Sequence, residues 1–78
     1  MTTPVEFLRG AAPGTRVVVR TTIPGGLTDA LGYLRRVEHE TCEVETKRGL
    51  VSLRLADVVA AKEVPPPPPR RAPRMPVR

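Results

Sequence analysis

The sequence predicts an all-β protein: a small barrel of about five short strands with one short helical turn, followed by a disordered proline-rich tail. Three observations predict it. Residues 16–23 are rich in β-branched side chains and stop at Pro24-Gly25-Gly26, a turn signal. Residues 42–47 and 50–55 each alternate apolar with polar side chains on either side of a Gly49 turn. Seven of the ten prolines fall in residues 65–78, where no regular sheet can continue.

Composition narrows the function classes. At 78 residues the chain is about half the usual size of one domain. Residues 65–78 carry four of the thirteen Lys+Arg and no acid, which leaves nine basic against eight acidic residues in 1–64. The body is therefore close to neutral (+1, against +5 for the whole chain) and gives no sign of a protein-wide surface for nucleic acid. A body of this size buries only about 60% of its unfolded surface, enough for one small core and no deep substrate cavity. Only Phe7 and Tyr33 are aromatic, so Val, Leu, Ile and Ala must form that core. The single cysteine, Cys42, excludes a disulfide scaffold. No apolar run approaches the ~20 residues of a membrane helix, and Met1-Thr2-Thr3-Pro4 lacks the start of a signal peptide. A cytoplasmic protein is expected. Eleven arginines against two lysines point to a GC-rich coding sequence.

The elements follow in order. Residues 2–8 suit one helical turn, with Thr3 as cap and Pro4 in the first position; so short a helix must dock to survive. Ala12-Pro13-Gly14 breaks the chain before the 16–23 strand. Residues 27–38 are ambiguous. Leu27, Ala30, Leu31, Leu34 and Val37 share a helical face, which slightly favours a helix. Read as a strand, Leu31, Tyr33, Arg35 and Val37 take one face and Ala30, Gly32 and Leu34 the other, with Gly32 marking a bulge or a sharp bend. After a polar turn at 38–41 come the two alternating strands, with Gly49 free to take positive φ and Val51, Leu53 and Leu55 inward. Two such strands need a third partner, and 27–37 read as a strand supplies it. Residues 56–59 suit one helical turn with Asp57 as cap, and 60–64 a closing strand. This is the order of a small SH3-like barrel, spanning 13–64 between an amino-terminal arm, 1–12, and a linker or tail, 65–78.

No catalytic constellation emerges. Five consecutive prolines, 65–69, set an extended spacer of about 15 Å, and Pro65, Pro68 and Arg70 also satisfy a PxxPxR ligand pattern. The spacer is the reading adopted. Four tail arginines on phosphates give a salt slope of only about −3.6, shallow for a dedicated nucleic-acid binder. Two aromatics are too few for a polyproline groove or a methyl-lysine cage. His39 and Cys42 make one pair where zinc wants four ligands, and Glu38, Glu40, Glu43 and Glu45 read as solvated. No metal and no cofactor are expected.

Three segments then stand out together: Pro13-Gly14-Thr15-Arg16-Val17-Val18-Val19-Arg20, Leu27-Thr28-Asp29-Ala30-Leu31-Gly32, and Ala56-Asp57-Val58-Val59-Ala60-Ala61-Lys62 with its proline run. In this order they resemble the SH3-like amino-terminal domain of a group of bacterial GNAT-family N-acetyltransferases, over roughly residues 13–69. The resemblance implies a β-barrel, and hence a strand at 27–37. In that family a proline-rich segment joins the small domain to a longer catalytic one. The acetyl-CoA loop pattern of the superfamily, Arg/Gln-x-x-Gly-x-Gly/Ala, matches none of the six glycines here. The resemblance therefore implies no acetylation by this chain.

The expected role is that of a non-catalytic accessory domain acting by protein–protein contact, with an acetyltransferase catalytic domain or another protein as partner. The interaction residues named are Arg16, Arg20, Asp29, Tyr33, Arg35 and Arg36 on the rim, with Arg70, Arg71 and Arg74 in the tail. The alternative is a free-standing basic adaptor whose Pro/Arg tail binds nucleic acid or an acidic protein. A gene fragment without independent function is the third reading.

Overall fold

Thr3 opens the first element by a reciprocal cap. Its hydroxyl accepts from the Glu6 amide at 3.0 Å, while the Glu6 carboxylate accepts from the Thr3 amide at 2.9 Å. With Pro4 in the first position, as the sequence suggests, this sets helix α1 at Pro4–Gly10, which ends two residues later than expected. The computed structural model describes residues 2–66, so the disordered-tail expectation and the PxxPxR pattern lie largely outside the described residues. Seven residues are too few for a helix to stand alone, and α1 holds because Leu8 is completely buried in the core.

The strands are β1 (Arg16–Ile23), β2 (Gly26–Val37), β3 (Thr41–Thr46), β4 (Gly49–Arg54) and β5 (Val58–Glu63). The ambiguous segment is thus a strand, against its helical periodicity. All pairings are antiparallel in one sheet of order β4-β3-β2-β1-β5. Among the described residues the ladders end at β4 and β5. A 3-10 turn at Leu55–Asp57 precedes β5. Asp57 does not cap it, contrary to expectation. The cap position is Arg54, with no side-chain hydrogen bond, and Leu55 anchors the turn by burial instead. The turn therefore comes one residue earlier than expected, and β5 starts at Val58 rather than Ala60.

One face of the sheet carries the core. Val17, Val19, Leu34, Cys42 and Val44 are buried there with Leu8 and Leu55, while Val37, Leu53 and Ala61 pack around them. These are the alternate positions of each strand, as the pleat requires. The alternation breaks once. Leu34 pairs with Val44 and Arg36 with Glu43, so Arg35 is an extra residue, a β-bulge. The bulge moves Val37 into register with Cys42 and turns it to the core, correcting the expected face shared with Leu31 and Tyr33.

Gly32 is not the bulge. It pairs in register with Val17 on one side and Thr46 on the other. A Cβ built there overlaps the Glu45 carbonyl oxygen and falls 2.7 Å from its carbon, so the residue is glycine because a neighbouring backbone crosses too closely for any side chain. The hairpin glycine behaves as expected, with Gly49 at φ +117°.

Candidate interaction surface

The face opposite the core gathers most of the residues expected on the rim. Register places Arg16 beside Tyr33, Val18 beside Leu31 and Arg20 beside Asp29. Arg20 grips Asp29 with two parallel bonds, Nε to Oδ1 at 2.8 Å and Nη2 to Oδ2 at 3.3 Å. The hydrogen bond from Arg20 holds the Asp29 carboxyl below its ordinary range, and the same bond pushes the guanidinium further up. Arg35 donates from Nε to Glu45 Oε1 at 2.7 Å and lies 5.7 Å from the Tyr33 ring centroid, within cation–π range. Both pairs are half-exposed, so they shape the surface more than they stabilise it.

Arg16 has a different task. Its Nη1 donates to the Pro65 carbonyl at 2.7 Å, and its own carbonyl accepts from the Val64 amide, so it fixes the chain where the tail leaves the sheet. Arg36 points away toward Glu38, 3.9 Å off. Arg70, Arg71 and Arg74 lie outside the described residues. The structure thus brings Arg16, Arg20, Asp29, Tyr33 and Arg35 onto one face.

Sequence reasoning named Tyr33 on this face but missed Leu27 and Leu31 beside it. Leu27, Leu31 and Tyr33 run along β2 with 55%, 47% and 36% of their surface exposed. They occupy alternate positions, and the strand alternation at 27–33 was the signal that could have found them. Beside them lies a cleft of about 830 Å³, lined by residues 28–33 of β2 and by Thr46, Lys47, Arg48, Val51 and Leu53.

The other candidates have structural roles. Cys42 is wholly buried, and burial pushes its thiol up, away from the reactive thiolate. His39 is exposed, and its carbonyl accepts from Arg9 Nη2 at 2.8 Å. Among the described residues no three His, Cys, Asp or Glu side chains converge on a possible metal position. No helix among them is long and apolar enough to cross a membrane.

These features define a small, mostly β domain: five antiparallel strands in one sheet, a short amino-terminal helix, and an exposed face ordered by ion pairs. Residues 11–62 match the family model described as the Rv0428c N-terminal Sm-like domain, and the chain belongs to this family. The match takes in the strands through Lys62 and leaves α1 outside. Searches of curated proteins and of solved structures found no match. The family description names a small β domain and no acetyltransferase, so the GNAT resemblance rests on the sequence motifs alone.

Proposed function

We propose that this chain is a non-catalytic accessory domain, cytoplasmic, that works by protein–protein contact beside an acetyltransferase. Its sheet would curl into a small SH3-like barrel to present the contact face. The observation that carries the reading is the row of exposed Leu27, Leu31 and Tyr33 on β2, bordered by the Arg20–Asp29 and Arg35–Glu45 pairs. An apolar row with a charged border is how a surface that docks another protein is built. The acetyltransferase as partner comes from the motif resemblance.

A pull-down of the tagged 78-residue chain from its native extract, at low and at moderate salt, tests this. A stoichiometric acetyltransferase retained at moderate salt supports the reading, and its loss on Leu31→Glu assigns the contact to β2. Nucleic acid alone, released as salt rises, transfers the function to the Pro/Arg tail.

A further inference from the structure

The two ladders of β2 are offset. Toward β1 the strand pairs over residues 26–33, and toward β3 only from Gly32 to Val37. Both overhangs leave backbone groups without a strand partner, and the chain treats them differently. Beyond Tyr33 the preceding loop takes over: the Gly14 amide donates to the Leu34 carbonyl at 2.6 Å, and the Leu34 amide to the Thr15 carbonyl at 2.8 Å. Residues 26–31 have no such cover. Among the described residues no backbone hydrogen bond reaches them from the β3 side. In an antiparallel strand alternate residues turn amide and carbonyl to the same side, so about three residues offer both groups to the open edge.

The 830 Å³ cleft lies along this edge, with the tip of the β3–β4 hairpin forming its other wall. It is twice the volume of the groove between α1 and β5, about 420 Å³. Leu31, Val51 and Leu53 supply apolar lining, and Arg16, Lys47 and Arg48 supply positive charge. The two acids of the lining are already engaged, Asp29 by Arg20 and Glu45 by Arg35. Lys47 and Arg48 have no ion-pair partner among the described residues. The cleft is therefore net positive beside a free strand edge.

We infer that this cleft takes an extended acidic segment of a partner protein, which adds as a strand to residues 26–31 of β2 and sets its carboxylates against Lys47 and Arg48. Main-chain bonds give such docking its affinity, and alternate side chains give its specificity. Six residues at about 3.3 Å each span roughly 20 Å of edge. The chain's own residues 65–78 are the wrong occupant: they hold seven prolines, which lack the amide, and carry no acid. The inference rests on the protein-contact reading above and names its site and partner chemistry.

The test titrates the isotopically labelled full chain with an end-blocked decapeptide of alternating glutamate and valine. The same peptide with proline in place of valine and an oligouridylate serve as comparisons. Saturable shifts at Lys47 and Arg48, with slowed amide exchange within residues 26–31, are expected from the first peptide alone. Lys47→Glu combined with Arg48→Glu, both exposed and remote from the core, should weaken it about tenfold or more while leaving the melting temperature unchanged. Equal binding of the proline peptide, response to the oligouridylate alone, or no response at the edge overturns the inference. A partner captured from extract and fully retained by the double variant also overturns it, while leaving the accessory reading standing.

Discussion

Gly32 lies so close under the Glu45 carbonyl that a methyl group on its α-carbon has no place to go. It sits where both ladders of β2 overlap, in register with Val17 and with Thr46 at once. Gly32→Ala should therefore cost at least about 2 kcal/mol, because backbone and not a flexible side chain must yield. For a domain of this size that lowers the melting temperature by roughly 8–16 °C. Gly49→Ala faces only the strain of positive φ, with nothing within 4 Å of the new methyl, and should cost about 1–2 kcal/mol. Thermal melts that rank the two variants in the opposite order refute the close-approach account.

Thr3→Ala removes the hydroxyl that accepts from the Glu6 amide and should destabilise the domain by about 1 kcal/mol. Thr3→Ser should restore most of the loss. Because Leu8 ties α1 to the core, the effect should appear in global urea unfolding and not only as fraying of the first turn. An unchanged midpoint means that α1 contributes nothing to cooperative stability.

Acid should weaken the fold through two exposed carboxylates. The Glu6 carboxyl is lowered by hydrogen bonding to Thr3, chiefly from its backbone amide, and the Asp29 carboxyl by its bond from Arg20. A carboxyl depressed in the folded state protonates first in the unfolded chain. Its contribution is present above the ordinary values of 4.5 and 3.8, and is lost as pH falls through the folded ones. Urea midpoints measured from about pH 7 to about pH 2 should fall more gently in the double variant Glu6→Gln, Asp29→Asn. Identical slopes remove both groups from the acid response.

Cys42 should react with thiol reagents only when the domain opens. Native labelling should be about a hundredfold or more slower than labelling in denaturant, as expected for a small domain stable by a few kcal/mol. Cys42→Ser sets a hydroxyl into the apolar core and should cost about 1–3 kcal/mol, more than Cys42→Ala. Rapid native labelling contradicts the buried position.

Much of this fold was legible because its signals are local. The β1 bounds follow from the β-branched run and the Pro24-Gly25 stop, and the β3–β4 hairpin from alternation around Gly49. The Thr3 cap was readable from Thr3 and Pro4 alone. Of the expected rim, Arg16, Arg20, Asp29, Tyr33 and Arg35 do share a face, since all lie on segments read as strands. The same reasoning misplaced Val37, because alternation counts residues along one strand while a bulge is decided by the partner strand.

By itself the sequence determined the β class, the order of the strands along the chain, the turns, and a body of nearly balanced charge ahead of a basic proline-rich tail. Those properties reside in residue types and short spacings. The strand at 27–37 was read from the need for a third partner and from the resemblance, against a helical periodicity. Only the tertiary structure decided that Gly32 is required by a crossing backbone, and that a bulge at Arg35 turns Val37 to the core. It alone decided the offset of β2 between its neighbours, which leaves residues 26–31 as an open edge facing Lys47 and Arg48. Each of these depends on where a distant segment comes to rest, and a single strand carries no record of how far its partners extend.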